Sequence, residues 1–210
     1  QDECVSEGKI ISVISMRGGV GITSVAINLA VAMAQLWGEN SFTILSDLVL
    51  QAGQNALMLN LPLRNTWANI ANTPIEDIDA DLICAIIRGH DSGVRVMAAP
   101  AKPVEAEMIT SEKILHTLEI FRGRCGHVVI DLPHDFSDIT LSALEASDEI
   151  LMVVAPELAS VRATSMAFEV FETLGYPREK FRLLLNWTFE SGGLPRKDIE
   201  NVLGQRIDSI

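Results

Sequence analysis

Short runs of β-branched and aliphatic residues alternate along the chain with longer segments in which apolar residues recur every three or four positions. That alternation predicts βαβ units and a mainly parallel sheet. The short runs predict strands over Ile10–Ser15, Phe42–Leu48, Val94–Ala98, His127–Leu132, Glu149–Val154 and Phe181–Asn186. Several are almost wholly apolar, Val128-Val129-Ile130 among them. A strand covered by helices on both faces has this character, whereas a half-exposed strand alternates. Helical spacing predicts Thr23–Leu36, Asp81–Ile87, Ser111–Phe121, Asp138–Ala146, Ser160–Leu174 and Arg196–Leu203. Ile114, Leu115, Leu118 and Phe121 form one such stripe. Ser137 is placed to cap the fourth of these helices, and Gly175 followed by Pro177 closes the fifth. The fold class is therefore α/β, a mainly parallel sheet flanked by helices on both faces in three layers.

Length and composition fit a single globular body. At 210 residues the chain makes about one large domain, and 48% apolar with 21% charged residues excludes a disordered or low-complexity chain. No internal repeat or linker interrupts residues 9–210. Gln1–Gly8 is polar and without periodicity, and reads as a tether to something upstream. Arg206–Ile210 reads as the beginning of a further strand, so the domain is expected to continue past Ile210.

Sixteen basic against 28 acidic residues give a net charge of −12. A nucleic-acid binder needs a basic stripe, and a membrane-surface helix needs Lys and Arg on its polar face. The chain offers neither, and no run approaches the ~18 apolar residues of a membrane span. The expected partners are therefore proteins, not nucleic acid and not the bilayer directly. Cys4, Cys84 and Cys125 are far apart and form no C-x-x-C pair, which predicts reduced thiols in a cytoplasmic setting. His90, His116, His127 and His134 have no ligand spacing, and Asp91-Ser92-Gly93 reads as a turn. Met58, Met97, Met108 and Met152 are expected in the core, and Arg178-Glu179-Lys180 in a solvated loop.

The candidate chemistry lies in Ser15-Met16-Arg17-Gly18-Gly19-Val20-Gly21-Ile22-Thr23-Ser24, where a buried strand runs through three glycines into a helix. Such a unit gathers backbone N–H groups around one concave spot at the positive end of a helix dipole, and phosphate is its natural occupant. Glycine is required where the backbone must take positive φ and let oxygens approach. A tight strand–helix turn without a ligand is the other reading of the same residues. The segment misses the strict pattern G-x-x-x-x-G-K-[ST] at two places, Met16 and Ile22.

The loop instead resembles the deviant form K-G-G-x-G-K-[ST] of the MinD/ParA ATPases, with Arg17 at the first lysine, Ile22 at the second and Thr23 at the Mg²⁺-binding hydroxyl. Asn28-Leu29-Ala30 is similar to that family's N-L-A. Ser46-Asp47-Leu48-Val49-Leu50-Gln51 resembles its D-x-D-x-Q switch, with Val49 in place of the second Asp. His127–Pro133 resembles its Walker B strand, and Leu185-Asn186-Trp187 its N-R pair, with Trp187 in place of Arg. Three further segments, Gly93–Pro100, Ala143–Leu151 and Gly193–Asp198, are similar to the TadZ/CpaE branch of Flp (tight-adherence) pilus assembly proteins.

The resemblance implies ATP and Mg²⁺ as ligands. Arg17, Gly18, Gly19, Val20, Gly21, Ile22, Thr23, Ser24 and Asn186 would hold the nucleotide, and Thr23 and, through water, Asp131 the metal. It implies a homodimer closed over nucleotide, with Arg17 reaching the partner's phosphates, and a cytoplasmic bacterial protein recruited to a pole or an inner-membrane secretion complex by pilus-machinery partners. It also implies a receiver-like domain ahead of residues 1–8. Asp47 is the remaining candidate for orienting the attacking water. Loss of the lysine removes a hydrogen bond worth ~1.5–3 kcal/mol, so ATP binding weakens roughly ten- to a hundredfold. Hydrolysis suffers more, because Val49 cannot position water. Three functions remain open: a hydrolysis-poor scaffold, an active MinD/ParA-type ATPase, and a nucleotide-free interaction domain with a relic loop.

Overall fold

The computed structural model describes residues 8–37, 42–190 and 192–210. The tether expected over residues 1–8 falls, apart from Gly8, outside the described residues, as does Cys4. Seven strands form one sheet: β1 (Lys9–Ile14), β2 (Thr43–Asp47), β3 (Arg88–Gly89), β4 (Arg95–Met97), β5 (His127–Asp131), β6 (Glu149–Val154) and β7 (Phe181–Leu185). Their order is β3-β4-β2-β5-β1-β6-β7, and every pairing is parallel except β3 with β4. Nine α-helices occur among the described residues: α1 (Ile22–Trp37), α2 (Asn55–Met58), α3 (Ala68–Ala71), α4 (Ala80–Ile86), α5 (Pro103–Ala106), α6 (Ser111–Arg124), α7 (Asp138–Ala146), α8 (Leu158–Thr173) and α9 (Arg196–Leu203).

The apolar strands divide their side chains between two cores by the two-residue period of the pleat. Val13, Leu45, Val129 and Val153 face α1, meeting Ala26, Ile27 and Ala30. Ile14, Ile44, Ile130 and Met152 face the other way, toward Leu118 and Phe121 of α6, Leu144 of α7 and Phe168 of α8. Sheet helices on both faces, as expected, explain why these strands read as continuous apolar runs. The six predicted strands and six predicted helices are all present, with ends displaced by at most a few residues.

Departures lie in residues 50–110. The β3–β4 hairpin turns at Asp91-Ser92-Gly93, with Gly93 at φ +91° and His90 N–H donating to Val94 O at 2.9 Å. Two-residue β3 and the four-residue helices α2, α3 and α5 are too short to leave a periodic trace. Met97 and Met152 are core residues as expected, but Met58 and Met108 are exposed, the buried positions of their short segments being taken by Ala56 and by Ala106 and Ile109. The Arg178–Lys180 turn is not merely solvated: Arg178 stacks on the Phe168 ring and donates to Leu203 O, and Lys180 donates to Glu145 O. Arg206–Ile210 runs beside the outer edge of β7 through one parallel bridge, Leu184 with Ser209.

Candidate functional site

The strand order reverses around β1, which has β5 on one side and β6 on the other. In open parallel sheets, ligands sit outside the carboxyl ends of strands at such a reversal. The glycine loop leaves β1 there. Gly19 and Gly21 adopt φ of +80° and +89°, so both glycines serve the backbone path the pattern called for. Buried Val20 anchors the loop to the α1-side core, worth ~1.5–3 kcal/mol for a side chain of its size. Val25 N–H closes the first turn of α1 on Gly21 O at 2.9 Å. No acidic residue occupies that first turn, so the positive helix end is unneutralised. Ile22 packs partly buried against the same core and brings no charge to the loop. Thr23 is half-buried behind it, and Ser24 is exposed.

Register brings the two candidate carboxylates side by side: Asp47 at the end of β2 pairs with Asp131 at the end of β5, and Val13 pairs with Asp131 on the other side. Both are buried. Asp47 accepts from Val49 N–H and Asn55 N–H, each at 3.1 Å. Burial first, and the Asp131 charge second, push its carboxyl up to about 7 against these two hydrogen bonds. Asp131 has no hydrogen-bond partner on either oxygen among the described residues, nor has the Asn55 side-chain amide. Burial raises Asp131 to about 6, while the Thr23 hydroxyl and Asn55 amide, close by but outside hydrogen-bonding geometry, draw it partway back. Two orphaned carboxylate oxygens with a threonine hydroxyl nearby offer hard oxygen donors, which fits Mg²⁺ held through water.

Asn186, just past β7, donates from Nδ2 to Val20 O at 2.8 Å. A Cβ on Gly21 would stand 2.6 Å from the same nitrogen, so the third glycine is needed for this approach as well as for its φ. Asn186 therefore braces the loop in this structure. Arg17 pairs with Glu157 of its own chain, Nε to Oε1 at 3.4 Å, with the two side chains 51% and 40% exposed. Arg17–Ser24, Asp47, Asp131 and Asn186 all gather at this one end of the sheet. Val49 meets this group through its N–H on Asp47, and it also lines a neighbouring hollow of about 450 Å³ with Gln51, Glu107, Pro133 and Asp135. There Asp135 is pushed up by burial, but hydrogen bonds from Thr140 and Ser137 prevail and hold it below the usual carboxylate range.

Two residues of the site escaped the sequence reading. Asn55 supplies the backbone donor to Asp47, and Gly53 is the only residue type that fits beside it, since a Cβ there would lie 2.4 Å from Asp47 Oδ2. The signal was a glycine two residues before an asparagine, directly after the switch-like segment.

A sequence model of the AAA domain family (AAA_31) matches residues 8–176. The septum site-determining protein MinD of Thermotoga maritima is 24% identical over 180 residues, covering 85% of this chain and 64% of that protein. The chain thus spans a little under two thirds of that relative's length. A ParA family ATPase from Chlorobium tepidum superposes with a TM-score of 0.87 at 21% identity, over 96% of this chain and 83% of that one. MinD from Pyrococcus horikoshii, complexed with Mg-ADP, superposes with a TM-score of 0.77 at 20% identity, over 95% and 79%. These solved structures share the sheet-and-helix architecture described above. The family match extends well beyond half of the sequence, and the chain belongs to the AAA_31 family of AAA domains, the P-loop ATPases of the MinD/ParA kind.

Proposed function

We propose that this chain binds ATP with Mg²⁺, hydrolyses it poorly, and uses it to close a homodimer that acts as a localisation scaffold in Flp (tight-adherence) pilus assembly. The observation that carries the nucleotide reading is the buried Asp131, without a hydrogen-bond partner on either oxygen among the described residues, next to a loop held at positive φ by Gly19 and Gly21. An anion and a cation arriving together satisfy both: amides of Gly18–Thr23 take the phosphates, and Thr23 with Asp131 takes the metal's water shell. Bound Mg²⁺ supplies the positive charge that Ile22 does not. The Mg-ADP in the Pyrococcus MinD structure supports the same pair of ligands here. Arg17 would exchange Glu157 for the partner's phosphates, a switch that a 3.4 Å surface pair does not resist strongly. The pilus role and the receiver-like upstream domain rest on the TadZ/CpaE-like segments Gly93–Pro100, Ala143–Leu151 and Gly193–Asp198.

Poor turnover follows from Val49, whose side chain offers no hydrogen bond to an attacking water. The expected steady-state phosphate release is near background. Clear turnover, abolished in Asp47→Ala, would establish the active ATPase instead. Calorimetry with millimolar Mg·ATP tests the binding itself: no heat would leave an interaction domain with a relic loop. Restoring the lysine with Ile22→Lys is expected to tighten ATP roughly ten- to a hundredfold with little gain in turnover.

A further inference from the structure

We propose that Trp187 is the stacking surface for the base of the bound nucleotide, an inference that rests on the nucleotide reading above. Trp187 stands where the resemblance expects arginine, so its role is not carried over from a family pattern. It follows Asn186, whose backbone N–H is fixed on Val154 O at 2.8 Å and whose amide touches the carbonyl of Val20 in the phosphate loop. The indole is thus one residue from a direct contact with the cradle.

Its surroundings hold it in place. Phe189 meets it edge-on, with centroids 6.0 Å apart and planes at 77°. Gly193, at φ +98°, passes so close that a Cβ there would lie 3.0 Å from each ring and 2.9 Å from Pro156 O. Leu194 N–H fastens the same stretch to Pro156 O at 2.7 Å. The glycine is what lets two aromatic rings and the end of β6 share this space. Yet Trp187 remains 43% exposed and Phe189 37%. A preset, half-exposed indole one residue past the Asn186 contact with the phosphate loop is a ready platform for a planar ring, because every base has a π-face and a rigid tryptophan loses little entropy on stacking. A group anchored by its phosphates on Gly18–Thr23 and carrying such a ring is a nucleotide; stacking of this kind tolerates different bases, so discrimination among them should be modest.

The test compares wild type, Trp187→Ala, Trp187→Leu and Trp187→Phe by calorimetry and tryptophan emission, titrating the whole chain with Mg·ATP, Mg·GTP and, as a base-free probe, Mg·tripolyphosphate. ATP is expected to quench the emission of wild type. Loss of the stack in the Ala and Leu variants should weaken ATP about five- to a hundredfold, and GTP similarly. The Phe variant should stay within about threefold, and tripolyphosphate should bind all four alike, which also reports that the loop is intact. Unchanged ATP affinity in both the Ala and Leu variants overturns the proposal. So does an equal loss for tripolyphosphate, which would make Trp187 a prop for Asn186. If wild type bound tripolyphosphate and ATP equally weakly, the base would contribute nothing and this inference alone would fail. If it bound neither, the nucleotide reading would fall first.

Discussion

Asp131 and Asp148 sit at opposite ends of the same parallel sheet and have opposite fates. Asp148, just before β6, accepts two hydrogen bonds from Arg122 at 3.1 and 3.0 Å and one from Ile10 N–H at 2.7 Å. Arg122 spends its other contacts on Ala146 O at 2.7 Å and Gly8 O at 3.3 Å, tying the ends of α6 and α7 to the start of β1. Asp131, more deeply buried, has no hydrogen-bond partner among the described residues. A buried carboxylate costs stability unless it is paired, so the first arrangement is a brace and the second a cost that the proposed ligand would relieve. The same residue type reads as structure or as function according to what its oxygens touch.

The largest effect that should sharpen this contrast is its pH dependence. Asp47 has an ordinary value of 3.8, raised to about 7 in the folded chain, so the folded state holds a proton that the unfolded state gives up earlier. Stability of the nucleotide-free protein should therefore fall as pH rises from about 4 to about 7, with the loss complete above that window. The expected contribution is on the order of 4 kcal/mol, read as the difference between wild type and Asp47→Asn in urea unfolding across that range. A wild-type profile parallel to that of Asp47→Asn would contradict it.

Breaking the brace comes next. Arg122→Ala should cost about 2 kcal/mol, since it removes the ion pair of Asp148 and the donors to two carbonyls, while leaving Mg·ATP affinity unchanged because the phosphate loop lies at the other end of the sheet. A change in affinity matching the loss of stability would show that the two ends are not independent. The smallest effect is expected at the Arg17–Glu157 pair, where both side chains are about half exposed. Glu157→Gln should shift stability by less than about 0.5 kcal/mol in thermal or urea unfolding.

Much of this was legible in the residues. The alternation of apolar runs and helical stripes specified an α/β sheet covered on both faces, because burial on two sides leaves no polar positions in a strand. Three glycines between a strand and a helix specified the loop's backbone, because positive φ excludes most other residues. Glycine spacing also marked Arg17–Ser24, which the structure keeps together. The four-residue helices α2, α3 and α5 left no periodic trace, since each completes barely one turn.

What the tertiary structure alone decided is which groups meet across long stretches of sequence. Asp47 and Asp131 become neighbours only through the register of β2 on β5, and Asn186 reaches Val20 only because β7 ends beside the loop. Composition names a carboxylate or an indole, but its charge state, partners and exposure are set by the elements packed around it. Solvation and distance are properties of that packing, and they separate Asp131 from Asp148 and give Trp187 its half-covered face.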